Sequence, residues 1–165
     1  MATTSVPSTA VPRWKPNVTV AAVAGRARAD GATEWLLVEE ETATGLRLNN
    51  PAGHLDHGET LVRAVVRETL EETARDFRPE RVIGVYLAHS ADHADVSYLR
   101  FAFAGTVGEA DPARALDRGI VRTLWLTMDE VRASRARHRS PLVLRGIEDA
   151  IAGLGFPLER LGNAG

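Results

Sequence analysis

One segment limits the possible folds more than any other. Thr60 to about Arg75 carries a helical period for about four turns, with Thr60 placed as its N-cap. At about 100° per residue, Val62, Val65, Val66, Thr69 and Thr73 fall on one largely apolar stripe, while Glu68, Glu71 and Glu72 share a neighbouring arc about 100° wide. The stripe must be buried, and what surrounds it in the chain is mostly strand.

Val18 to Ala29 and Glu34 to Glu40 read as a hairpin around the turn pair Asp30-Gly31. A second turn, Thr42 to Gly45, leads into Leu46 to Leu48, and Asn49-Asn50-Pro51-Ala52-Gly53 interrupts regular structure. After the helix, Arg81 to Ser90, Val96 to Val107 and Gly119 to Leu126 are strand-like. Thr127 to Glu130 is a capping box before a short helix, and Ser140-Pro141 supplies a cap and a first-turn proline for a helix of about Leu142 to Gly153. The order of strands, helix, strands, helix, helix disfavours a doubly wound sheet and predicts an α/β chain of the α+β type, a mixed sheet flanked by helices. Residues 1–16, rich in Ser, Thr, Ala and Pro without period, read as a flexible arm before a domain at 17–158 and a short tail at 159–165.

At 165 residues the chain fits one domain. With 44% apolar and 25% charged residues it has an ordinary globular composition, and no apolar run reaches the roughly 20 residues of a membrane helix. The N-terminal stretch lacks the apolar centre of a secretory signal, so a cytoplasmic protein without a membrane partner is expected. The absence of cysteine removes disulfides, thiolate metal sites and a cysteine nucleophile. A net charge of -2 argues against nucleic acid as partner, although every basic residue except Lys15 is Arg. A monomer and a homodimer fit the pattern equally.

The acidic arc carries the chemistry. Glu68, Glu71 and Glu72 stand at i, i+3 and i+4, where like charges repel, and near a helix C-terminus, where the macrodipole disfavours anions. Arg63, Arg67 and Arg75 could compensate in part. Hard oxygen ligands without cysteine suit Mg²⁺, or Mn²⁺ in its place. A solvated acidic helix face is the alternative that periodicity leaves open.

Upstream lies Gly53-His-Leu-Asp-His-Gly-Glu59, and the whole run GHLDHGETLVRAVVRETLEETA resembles the Nudix box, with Gly53, Glu59, Arg67, Glu68, Glu71 and Glu72 at its defining positions. The run departs from the pattern at Thr69, Ala74 and Arg75. Because Ala in a left-handed helix cap costs about 1 kcal/mol, the helix is expected to continue past Ala74 into Arg75 or Asp76, until Pro79 stops it. The segments LNNPAGHLDHGETL, SYLRFAFAG, DRGIVRTLWLTMDEV and HRSPLVLRGIEDAIAG are similar to the phosphatase NudJ branch of that superfamily. The resemblance implies a Nudix fold and a metal-dependent hydrolase of small phosphorylated substrates, releasing orthophosphate from nucleoside di- or triphosphates or thiamine diphosphate. It implies Glu68, Glu72 and the Ala52 carbonyl as metal ligands, and Glu71 as a further ligand or general base. Glu59 and Arg67 would orient the acidic face, and Gly53 would leave room for it. A nucleoside-triphosphate or ADP-ribose pyrophosphatase would share the same box. A non-catalytic ligand-sensing module usually carries a damaged box and an added domain.

Asn49, Asn50, His54 and Arg100 flank the presumed cleft as substrate candidates, and His57 lies in the same loop as His54. His89 and His93 have metal-like spacing in a strand end and loop, where that spacing does not give a common face. Arg132, Arg135, Arg137 and Arg139 form a basic run around His138 that reads as a solvated helix end or a phosphate-attracting patch. Trp35 and Trp125 are expected in the core, and Trp14 in the arm.

Overall fold

A computed structural model describes residues 13–90 and 95–162. Most of the proposed arm and the end of the tail lie outside these residues, as does His93. The strands are β1 (Asn17–Ala27), β2 (Thr33–Thr42), β3 (Gly45–Asn49), β4 (Ala52–His54), β5 (Phe77–His89), β6 (Ser97–Val107), β7 (Ile120–Thr127) and β8 (Phe156–Pro157). The helices are α1 (Leu61–Thr73), α2 (Met128–Ala133) and α3 (Leu142–Ile151), with 3₁₀ turns at Arg135–Arg137 and Leu158–Arg160. The sheet runs β3-β2-β1-β6-β5-β8, with β4 added to β1 and β7 to β2.

β1 is the axis of the sheet. It lies parallel to β6 over eight residue pairs, from Asn17 with Tyr98 to Ala24 with Gly105. On its other side it pairs antiparallel with β4 near its start and with β2 near its end. Both edges of β1 are therefore paired, and helices cover both of its faces, which is why its sequence is a nearly unbroken apolar run. Val20, Ala22 and Ala24 pack with Ala64 and Val65 of α1, with Leu36, Val82 and Phe103 beside them. Ala21 and Val23 face the opposite way, onto Val143 and Ile147 of α3 and Val131 of α2. Each fully buried Val, Leu or Ile contributes about 1.5–3 kcal/mol, so the two cores clamp α1 and α3 to opposite faces of one sheet. The mixed sheet between helices is thus the observed architecture.

A short strand, Ala52–His54, forms where an interruption of regular structure was expected, and three further boundaries differ for a physical reason. α1 stops at Thr73, and Ala74 takes the left-handed conformation (φ 54°, ψ 29°) with its N–H donated to the Leu70 carbonyl at 2.9 Å. The reason is tertiary. Phe77 is buried in the α1-side core three residues later, and the Ala74 carbonyl accepts from the Asp111 N–H at 2.8 Å, so the chain must turn at once. Burying Phe77 contributes about 1.5–3 kcal/mol, more than the roughly 1 kcal/mol of strain in Ala. Second, β5 begins at Phe77 rather than Arg81 and carries Pro79 at a bulge, where a missing donor is tolerated. Third, α3 runs from Leu142 to Ile151, with Pro141 as the cap residue; the Ser140 hydroxyl still accepts the Leu142 N–H, at 3.3 Å. The capping box of α2 forms as read, with the Glu130 carboxylate accepting the Thr127 N–H at 2.8 Å.

Trp35 and Trp125 are half-buried at the edges of the two cores rather than inside them. Trp125 lies beneath two guanidiniums, with Arg26 at 4.2 Å and Arg75 at 5.6 Å from its ring centre. Trp14 is 59% exposed.

Two predictions follow from these packings. Ala74→Gly should change stability by less than about 0.5 kcal/mol, because released strain offsets a lost buried methyl group, whereas Ala64→Gly in the buried interior of α1 should cost about 1.5–2 kcal/mol. Urea denaturation of both variants checks the contrast. The second concerns Glu39, a buried carboxylate on β2 bonded by Arg122 of β7 at 2.7 Å and by Arg137. Arg122, then Arg137, hold Glu39 below its ordinary range against the opposing effect of burial. Its stabilisation is therefore present above the unfolded carboxylate pKa of 4.5 and is lost as pH falls through the lower folded value. Glu39→Gln should destabilise the domain by about 1 kcal/mol at pH 7, the half-exposed arginines being screened, and the deficit should shrink below pH 4.5.

Candidate active site

The site forms where β4 crosses beside α1. Asn50 and Pro51 link the end of β3 to β4, and the Pro51 carbonyl accepts the Ala22 N–H at 2.8 Å, which lays β4 against β1. A loop with Gly58 at φ 80° then leads to Thr60, whose hydroxyl accepts the Arg63 N–H at 3.1 Å and starts the helix. This close docking puts Gly53 against the acidic face of α1. A Cβ at Gly53 would collide with the carboxylate of Glu68.

Arg67 organises that face. Its Nε donates to Glu59 Oε1 at 3.0 Å and one terminal nitrogen to Glu59 Oε2 at 2.9 Å, a bidentate pair. The other terminal nitrogen donates to Glu68 at 2.7 Å and Glu71 at 3.1 Å. The His54 carbonyl accepts a further bond at 2.9 Å, so one guanidinium joins β4, the box loop and the helix. Arg67 pulls the Glu59 carboxyl below its usual range, and Glu59 in turn raises the pKa of Arg67. Arg63 is exposed and Arg75 turns away to the Gly108 carbonyl, so of the three compensating arginines only Arg67 meets the acidic arc.

Glu72 is left out of this exchange. It is buried, with Oε2 accepting the Ala52 N–H at 2.8 Å, and no ion pair reaches it among the described residues. Burial, with repulsion from Glu40, Glu68 and Asp117, pushes its carboxyl up to about 8. Glu68 is also raised, chiefly by burial, against the pull of Arg67. A carboxylate held in this way needs a proton or a cation. Among the described residues no three acidic or imidazole side chains converge on a common point, since Arg67 draws Glu59, Glu68 and Glu71 towards itself. The acidic arc is therefore neither fully solvated nor assembled into a closed cage.

Two acidic residues near the arc were not read from the sequence. Asp117 arrives from the loop before β7, tied by its N–H to the Glu71 carbonyl at 2.9 Å, and repels both Glu68 and Glu72. Glu40 ends the buried part of β2, and burial raises its pKa too. Neither belongs to a local motif; only the tertiary fold brings them here.

Beside the carboxylates opens a cleft of about 530 Å³. Thr19, Glu40, Asn49 and Arg100 line it together with His54 and Tyr98. Three of the substrate candidates therefore meet, while Asn50 is buried and outside the lining. The basic run divides. Arg137 bonds Glu39, Arg132 faces Asp129 at 3.7 Å, and only Arg139 reaches the cleft, anchored by its N–H on the Leu48 carbonyl at 2.8 Å. His89 lines the cleft and shares a 3.1 Å hydrogen bond with Ser97, and His57 is exposed in the box loop.

Comparison with known proteins agrees with this geometry. The NUDIX domain family profile matches residues 16–145. Phosphatase NudJ from Escherichia coli K12 is 37% identical over 151 residues, covering 91% of this chain and 93% of its own. A NUDIX hydrolase from Nitrosomonas europaea is 48% identical and superposes with a TM-score of 0.83, covering 91% of this chain and 98% of that one. A MutT NUDIX hydrolase from Burkholderia pseudomallei, at 17% identity, shares the fold with a TM-score of 0.65 over 82% of this chain and 98% of its own. The chain belongs to the Nudix family of hydrolases and is an enzyme that acts on phosphoanhydrides.

Proposed function

We propose that this enzyme is a Mg²⁺-dependent phosphatase that releases orthophosphate from nucleoside di- or triphosphates or from thiamine diphosphate, with Mn²⁺ as a substitute metal and the cytoplasm as its place of work. The observation that carries the metal is Glu72, a buried carboxylate with a backbone partner and no basic one. Glu68, one helical turn before it, and the Ala52 carbonyl complete a set of hard oxygen donors suited to Mg²⁺. The crowding of Gly53 against Glu68 fits the same reading, since any side chain there would fill the donor cradle. When bound, the cation neutralises charge on the phosphoryl oxygens.

The chain's own groups supply the rest. Glu59 and Arg67 fix the direction of the acidic face through the bidentate pair. Glu71 is a further ligand or the general base that takes a proton from the attacking water; its single 3.1 Å bond to Arg67 leaves it the more loosely held member of the arc. Asn49, His54 and Arg100 would hold the leaving group in the cleft so that attacking and leaving oxygens stand in line. Orthophosphate release is supported by the likeness to Phosphatase NudJ, which spans the cleft as well as the box. The pyrophosphatase alternative shares the carboxylates and differs only in how the leaving group is seated.

Glu72→Gln should lower turnover at least about 100-fold, roughly 3 kcal/mol of transition-state stabilisation, while leaving stability at neutral pH in EDTA equal to or above that of the unsubstituted enzyme, because the cost of protonating a buried acid on folding is removed. Added Mg²⁺ should raise the melting temperature of the unsubstituted enzyme and not of the variant. Near-normal turnover in the variant would remove Glu72 from the mechanism. For the bond cleaved, hydrolysis of a nucleoside triphosphate in ¹⁸O-water should put label into orthophosphate. Label in pyrophosphate or the nucleoside monophosphate, with little labelled orthophosphate, would favour the pyrophosphatase reading instead.

A further inference from the structure

Eight buried side-chain polar atoms among the described residues have no hydrogen-bond partner, and four of them belong to residues that line this cleft: Thr19 Oγ1, Glu40 Oε1, Asn49 Oδ1 and Arg100 Nη1. Each such atom carries a desolvation cost of about 1–3 kcal/mol unless a ligand or an ordered water meets it. Their position follows from the sheet. On β6, Tyr98, Arg100 and Ala102 face the same side; Ala102 is core beneath α3, and two and four residues earlier that face emerges as cleft floor. Thr19 lies beside Arg100 in the register of β1 and β6.

The chemistry of the four atoms selects the ligand. Glu40 Oε1 is an acceptor whose nearest basic group, Arg139 Nε, is 3.8 Å away, and Arg100 Nη1 is a donor. A fully ionised phosphate offers no donor to Glu40 and is repelled by it. A ring bearing an amino group next to an unprotonated nitrogen offers a donor and an acceptor side by side, as in adenine, cytosine or another aminopyrimidine. The walls suit a flat ring: the His54 and Tyr98 rings are 6.3 Å apart and tilted by 55°, and Pro141 and Leu142 add apolar surface. Arg47 and the half-exposed Arg139 remain for phosphate.

We propose that this floor is the specificity site of the enzyme, in which Glu40 and Arg100 read the amino-and-ring-nitrogen edge of a heterocycle on the leaving group. The inference rests on the cleft being the substrate's seat, as in the proposed function, but not on which phosphorus is attacked. Binding without catalysis tests it. Calorimetric titrations in EDTA would compare AMP, purine riboside 5′-monophosphate, which lacks only the amino group, and ribose 5-phosphate. AMP should bind at least about tenfold more tightly than either, because a buried acceptor is left unmet by the analogue. Equal affinity for AMP and purine riboside monophosphate would overturn the proposal. So would ribose 5-phosphate binding as tightly as AMP, which would make the floor a sugar site. Glu40→Met, which removes the acceptor and keeps a side chain of similar volume, should bring AMP and its analogue lacking the amino group within about threefold; retention of the tenfold preference in a folded variant would remove Glu40 from the reading. Should the variant fail to fold, the ligand comparison on the unsubstituted enzyme decides alone. Failure to hydrolyse ATP with Mg²⁺ would count against the phosphatase reading and leave the binding preference intact.

Discussion

The arrangement of this enzyme depends on the guanidinium of Arg67. Three glutamates on one arc near a helix C-terminus repel one another, and the helix dipole adds to the penalty. Arg67 sits among Glu59, Glu68 and Glu71 and also bonds the His54 carbonyl, so the same side chain that relieves repulsion on α1 fastens α1 to β4. Without that bridge the helix would still bury Ala64 and Val65, but the loop carrying Gly53 would have no fixed relation to the carboxylates. Packing places the helix; the ionic network sets its acidic face.

That network also explains why the carboxylates are unequal. Glu59 takes the bidentate partner and is stabilised as an anion. Glu68 shares Arg67 and is half relieved. Glu72, facing the sheet, receives one backbone N–H and the repulsion of its neighbours. Because the shortage of positive charge is concentrated at Glu72, a cation entering there would meet the least competition from the protein's own arginine. Asp117 deepens the shortage, carried in by a loop tied to the end of α1.

How much of this was legible depended on range. α1, its cap and its acidic arc could be read because they are periodic and local, and the capping box of α2 was read for the same reason. The mixed sheet followed from element order, since hairpins around a single early helix leave few alternatives. Ala74 was misread because propensity was the only local guide, while the turn is imposed by Phe77 and by the loop carrying Asp111. Glu40 and Asp117 gave no signal. In a strand or a polar loop an acidic residue reads as solvated, and only the register of β2 and the closure of the β6–β7 connection turn them towards Glu72. The basic run was ambiguous for a related reason: one stretch of arginines serves Glu39, Asp129 and the cleft in turn.

The same difference in range separates activation from selection. The groups that would activate a phosphoryl group are contiguous, from Ala52 to Glu72, because a strand and the helix after it can be docked by local contacts and one arginine. The cleft floor is assembled from β1, β2, β3 and β6, so each of its residues sits at a strand position whose neighbours are core. If Glu40 and Arg100 read the leaving group as proposed, a substitution at either would change what the cleft accepts without moving α1. A change at Arg67 would disturb every carboxylate at once. A fold wired in this way can alter its substrate by single strand residues while the box remains intact, and the box by itself therefore says little about which leaving group is held.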